Sequence, residues 1–159
     1  MLDEGSGKAT IGEIPHLVVR SGGRLAALPV AHVVETMRAL PIEPLAGMPP
    51  FVLGLSVVRG VPLPVIDARI LLGSDPTSPP RRFVTLRIEG RCAVLAVDAV
   101  LGVRELGSAS LQALPPLLRD ASAEVTSLMG TLDARLLFVL RAGRILSEST
   151  PPAAAPGET

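Results

Sequence analysis

The chain is nearly without aromatic residues: three Phe in 159 positions, and no Trp or Tyr. Single-strand nucleic-acid binders stack bases on aromatic rings, so that class is disfavoured. Neither sign of charge is in excess, with 15 basic and 15 acidic side chains. A broad nucleic-acid or membrane footprint needs a basic surplus, so neither is expected. The one cysteine, Cys92, rules out an internal disulfide and fits a reducing, cytoplasmic compartment. No apolar stretch approaches the ~18 residues of a membrane span, and the polar opening MLDEGSGKAT shows no signal peptide.

Signatures of chemistry are missing too. His16 and His32 have no Cys or Glu at ligand spacing, and no CxxC or HExxH occurs. Both histidines read as surface or strand-end residues. Cys92 lies among apolar neighbours and reads as a buried, inert thiol. Gly5 to Lys8, GSGK, lacks the upstream glycine and strand of a phosphate loop. No G-x-S-x-G elbow is present, and the acidic residues are scattered. The expectation is a protein that is not an enzyme and uses no metal or cofactor.

What is present is a large apolar fraction, 48%, cut into short runs by 15 Gly and 16 Pro. That pattern predicts an all-β fold with short helices. HLVVR and RLAALPV flank the turn Ser21 to Gly23, a hairpin. FVTLRIE alternates, with Val84, Leu86 and Ile88 on one face, and meets RCAVLAV across Gly90. SLMGTL meets RLLFVL across Asp133 and Ala134. DARILLG predicts a turn or two of helix, with Asp67 as N-cap and Gly73 past its end. Residues 1–13 and 147–159 read as flexible tails, and Gly73 to Pro80 and Gly107 to Ser127 as linkers.

An internal repeat emerges. GRLAALPVAHV at Gly23 and GRCAVLAVDAV at Gly90 agree at Gly, Arg, Ala, Leu, Val and Val, 67 positions apart. GLSVVRGVPLPVIDARIL, from Gly54 to Leu71, lies on GTLDARLLFVLRAGRIL, from Gly130 to Leu146, with one gap. Either the chain is duplicated, or two amphipathic hairpins converged. If duplicated, it holds two small β units, each marginal alone, that share a core or lean hard on each other.

One stretch resists a purely structural reading. GLSVVRGVPLPVID places Arg59, Pro62 and Pro64 inside an apolar run. Proline cannot donate to a sheet ladder, and buried arginine needs a partner. Glu35 is a candidate partner. The pair is either a surface salt bridge or part of a binding face with Val57, Val58 and Val61 around it.

At these residues the chain resembles the CheW family of bacterial chemotaxis adaptors. The resemblance rests on Phe51-Val52-Leu53-Gly54, Val58-Arg59-Gly60, Leu63-Pro64-Val65-Ile66-Asp67, Arg69 and Leu72-Gly73. PVAHVVETM with Glu35, AVLAVDAVLGV with Asp98, and MGTLDARLLFVLRAGRIL extend it from Pro15 to Leu146.

The resemblance implies two small SH3-like five-stranded β barrels sharing a hydrophobic core, in one domain over 14–146. The first barrel is expected over roughly 24–80, and the second over roughly 81–146 plus the N-terminal strand. The family has no catalytic activity. Its members bridge methyl-accepting chemoreceptor signalling tips and the regulatory domain of a CheA-type histidine kinase. That kinase domain shares the fold, and pairing with it or with other CheW-like domains is barrel to barrel. The resemblance makes Glu35 and Arg59 a signalling pair. It carries Val33, Gly54 and Val103 onto the receptor- or kinase-facing surface, with Val57, Val58 and Gly60 beside Arg59. The chain departs from the family pattern at Val57, where Asn is usual, at Val94, at Arg141 to Gly143, and at His16 and Leu17. These departures point to a divergent member.

Overall fold

The structure is a computed structural model and describes residues 13–75, 78–107, 109–114 and 126–149. Residues 1–12 and 150–159 of the expected tails lie outside it, as do 76–77, 108 and 115–125 of the expected linkers.

Among the described residues, eleven strands form two sheets. In chain order they are β1 (Ile14–Ser21), β2 (Arg24–Pro29), β3 (Val33–Arg38), β4 (Val52–Val58), β5 (Val61–Asp67) and β6 (Arg82–Ile88). Then come β7 (Arg91–Val97), β8 (Ala99–Leu106), β9 (Leu111–Ala113), β10 (Thr126–Leu132) and β11 (Arg135–Leu140). Among the described residues, two short α-helices, α1 (Ala68–Leu71) and α2 (Ala142–Ser149), follow β5 and β11, and a 3-10 turn (Val30–His32) joins β2 to β3. The helix α2 takes up 147–149, within the stretch expected as a tail. The four hairpin and helix expectations hold. β1 pairs β2, β6 pairs β7, and β10 pairs β11, while Asp67 caps α1 by accepting a hydrogen bond from the Arg69 amide.

The sheet orders are β8-β1-β2-β11-β10-β9 and β3-β6-β7-β5-β4. Stripped of β9, the first repeats the second strand for strand, which is the duplication seen in the sequence. Local features recur in both halves. A β-bulge interrupts β3 between Val33 and Glu35, and another opens in the β1–β8 ladder between Val18 and Val19, opposite Val100 and Gly102. A methyl group at Gly54 would run into the Glu43 carbonyl, and one at Gly130 into the Ser110 carbonyl.

The split of the chain between barrels is not the sequential one expected. β2 belongs with β11 and β10, while β6 and β7 belong with β3, β4 and β5. One barrel therefore uses residues 33–97, and the other uses 14–29 with 99–140. The cause is two parallel pairings, β5 with β7 and β11 with β2, which carry each half's hairpin into the other half's sheet. The first sheet also has a sixth strand, β9, paired to β10 inside the expected linker.

This exchange explains the apolar runs. Val18, Leu25 and Ala27 fill one barrel with Leu137 and Val139, and Phe83, Val94 and Ala96 fill the other with Val58 and Val65. The alternate residues of the same strands, Leu17, Val19, Ala26, Leu28, Val84, Leu86, Ala93 and Leu95, meet in a third core between the barrels. Strands buried on both faces read as continuous hydrophobic sequence and not as alternation. His16 is buried on β1, not at a surface, and its Nδ1 donates to the Ile14 carbonyl at 3.0 Å.

A polar lock crosses the same seam. Asp67 and Arg69 are both buried, and the Arg69 guanidinium donates to Asp67 through Nε and Nη2, at 3.2 and 3.1 Å. Its Nη1 lies 4.0 Å from Asp98, whose other oxygen accepts the Gly22 amide of the opposite barrel at 2.8 Å. Removing one partner of a buried pair strands the other charge. Arg69→Ala is expected to cost about 3–5 kcal/mol of unfolding free energy in urea. A cost within experimental error would show that the lock is dispensable.

Candidate functional site

The prolines of the opening stretch sit where a ladder can spare them. β5 pairs β7 only through Val65, Ile66 and Asp67, so Pro62 and Pro64 lie beyond that pairing and face β4 alone. Beyond them β4 and β5 close on the two-residue turn Arg59-Gly60. Both residues are left-handed, with φ of 52° and 81°. That suits the right-handed twist of a hairpin, and Gly60 takes it freely. Arg59 does not: a β-carbon there crowds the backbone, and Asn, Asp or Gly is the usual occupant.

A partner holds the strained arginine. Arg59 donates from Nε and Nη2 to the two carboxylate oxygens of Glu35, both at 2.8 Å. Glu35 stands just past the bulge in β3. There the Thr85 hydroxyl accepts its amide at 3.1 Å and donates to its carbonyl at 3.3 Å. Thr85 is itself buried, so the bulge that presents Glu35 is fixed from below. The Arg59 side chain is 75% exposed and that of Glu35 27%. The hydrogen bonds from Arg59 hold the Glu35 carboxyl below its ordinary range against the opposing pull of burial, and the arginine charge adds to them. The arginine is raised in turn.

Beneath the pair lies a recess of about 150 Å³, mainly apolar, lined among others by Val34, Val58, Val61 and Cys92. Cys92 is thus half-buried at the floor of this recess and not sealed in the core. Val57 and Val61 are exposed beside the tip, at 62% and 52%.

The structure gathers Glu35, Val57, Arg59 and Gly60 at one end of the first barrel. It puts the other sequence-derived residues elsewhere. Val58, expected on the exposed face, is buried in the barrel core. Gly54 is buried on β4 under the Glu43 carbonyl, where no side chain fits. Val33 packs partly against the core between the barrels. Val103 is exposed on β8 of the other barrel. Thr85 went unnoticed because a threonine within an alternating strand carries no local signal of a bulge opposite it. Among the described residues, no group of three His, Cys, Asp or Glu could hold a metal ion. Among them, no helix is long and apolar enough to cross a membrane.

Two barrels around one shared core, with an ion pair held on a strained turn, define a two-barrel β domain. The CheW-like domain model matches residues 15–150, and the chain belongs to that family. It is a CheW-like scaffold of chemotaxis signalling, a family of non-enzymatic proteins. Protein FrzA of Myxococcus xanthus is 34% identical over 117 residues, covering 72% of this chain and 71% of that one. A probable chemotaxis protein CheW of Rhizobium etli is 26% identical over 145 residues, 90% of this chain and 94% of its own. The crystal structure of the scaffolding protein TtCheW from Thermoanaerobacter tengcongensis shares the fold. It superposes with a TM-score of 0.71 at 23% identity, over 81% of this chain and 89% of that one.

The depressed Glu35 gives the pair a pH signature. A carboxyl whose folded pKa is lowered contributes stability above its unfolded value and loses it as pH falls through the folded value. Arg59→Asn keeps a left-handed residue in the turn and removes the cation. The Glu35 titration midpoint, followed by carboxyl NMR, is expected to rise to the ordinary carboxylate range with the fold intact. An unchanged midpoint would mean that the pair does not form in solution.

Proposed function

We propose that this chain is a chemosensory adaptor that couples chemoreceptors to a CheA-type histidine kinase by protein–protein binding, with no catalytic step of its own. The single observation that carries the reading is the Glu35–Arg59 pair. An ion pair whose arginine is 75% exposed is screened by solvent and contributes modestly to folding. A left-handed arginine is a cost that folding alone would remove by substitution with Asn or Gly. Strain retained at a surface is a mark of use. Arginine amid exposed aliphatics, here Val57 and Val61, is a common interface anchor. The regulatory domain of the kinase is the partner proposed for this tip. Val103 and Val33, on strands of different barrels, belong to the surface proposed for the receptor signalling tip.

One observation favours a second reading. Val57, where the family pattern has Asn, is the most exposed large aliphatic named here, at 62%. An apolar side chain there suits a scaffold that pairs with a kinase domain, or with itself, without receptor coupling.

Calorimetric titration of the folded protein with the kinase regulatory domain tests the main reading. Micromolar binding is expected, weakened roughly tenfold or more by Arg59→Glu, because a like-charge contact replaces a complementary one. Wild-type affinity in the Arg59→Glu protein would remove this tip from the interface. Capture by a receptor signalling-tip fragment separates the two readings, since the second requires kinase binding with no receptor binding.

A further inference from the structure

We infer that the second barrel holds a seat for a small phenol, in a recess where His16 accepts a hydrogen bond from the phenol hydroxyl. The seat is in the barrel that does not carry the Glu35–Arg59 tip, and it does not rest on the adaptor reading.

The recess follows from one departure within the internal repeat. His16 lies 67 positions before Phe83, the offset that separates the two copies. The ladders agree, since His16 is opposite Pro29 and Phe83 opposite Ala96, residues with the same separation. Phe83 is fully buried in the core of the first barrel, and Leu40 and Ile42 pack against that core. His16 shares a face of β1 with Val18, which fills the core of the second barrel. An imidazole is smaller than a phenyl ring and polar at its far edge, and the equivalent position is left open. What remains is a recess of about 310 Å³, mainly apolar, lined among others by Ile14, His16, Leu106, Leu111, Ala113 and Leu128. Leu106 belongs to the barrel core, and Leu111 and Leu128 pack against it, so the recess reaches the interior.

The imidazole suits one kind of ligand. His16 is only 3% exposed. Its Nδ1 meets the Ile14 carbonyl at 3.0 Å. A carbonyl can only accept, so Nδ1 carries the proton, and in the neutral ring Nε2 presents a lone pair. Among the described residues, no hydrogen bond reaches Nε2. A buried acceptor without a donor is costly and uncommon. A molecule that fills the recess therefore needs an apolar body and one donor. A benzene ring fits an apolar cavity of about 150 Å³, so this recess has room for a ring that carries a hydroxyl. A phenol meets both demands. An anion does not, because the lone pair repels it and the aliphatic wall strips its water.

NMR of the isotope-labelled full chain, titrated with phenol and separately with toluene, tests this. Phenol is expected to shift the His16 ring nitrogens and the methyl groups of Leu106, Leu111 and Leu128, saturating with a low-millimolar or tighter Kd. Toluene has nearly the same shape and no donor, and it is expected to bind roughly threefold to tenfold more weakly. His16→Phe gives the second barrel the residue that its counterpart uses in the first. It is expected to keep the β1–β2 and β1–β8 amide pattern and to lose phenol binding by about tenfold or more. Ala113→Phe, at an exposed position on the rim, is a second block that leaves His16 in place, and it is expected to weaken phenol in the same way. No saturable shift at these positions in the wild type would overturn the inference. So would toluene binding as tight as phenol binding, or undiminished phenol binding in whichever of the two variants folds.

Discussion

Four strands of this protein, β1, β2, β6 and β7, are buried on both faces, and the rest of the molecule is arranged around that constraint. Each gives one face to its barrel and the other to the seam between barrels. Neither barrel can keep its inner strands dry without the other. A unit of this size is marginal alone, so burial at the seam adds to the core that each barrel lacks. Small residues at the crowded layers, Ala26, Ala27, Ala93 and Ala96, let the two faces approach. The exchange of hairpins between sheets ties the halves covalently as well as by packing. The Asp67–Arg69–Asp98 chain then fixes their relative position with charge, where apolar packing alone would permit sliding.

With the centre made rigid, the barrel ends are free to hold geometry that folding does not need. The turn at Arg59 is strained, exposed and braced by a carboxylate that a buried threonine sets in place. The bracing runs from Thr85 through the bulge to Glu35 and from there to Arg59. Each link presents the next one to solvent. This is a division of labour: hydrophobic burial sets where the strands go, and a short polar chain sets what their ends display.

Much of this was legible in the sequence, and the misses have physical causes. Hairpins at Gly22-Gly23, Glu89-Gly90 and Asp133-Ala134 announce themselves because turns are local and their residues are few. The duplication was legible because it repeats side chains, not only a pattern. The partition into barrels was not, since a parallel pairing between residues far apart, such as Val65 with Val94, leaves no mark on either segment. Glu35 and Arg59 could be paired in advance, since a charge in an apolar run demands a partner. Val58 and Gly54 could not be placed. Inward and outward faces depend on register, and Gly54 answers to a carbonyl eleven residues earlier, at Glu43. Asp98 and Arg69 stood out as motif residues, but their meeting across the seam is a product of the strand exchange.

The central claim is that the strained tip of the first barrel exists for a partner. Backbone amide NMR of the isotope-labelled chain, titrated with the kinase regulatory domain, addresses it directly. The account predicts that the largest shifts fall on Val34 and Glu35 and on Val57 to Val61, while the amides of β2 and β7 stay in place. Shifts confined to other surfaces, with the Arg59-Gly60 turn unmoved at saturation, would contradict it.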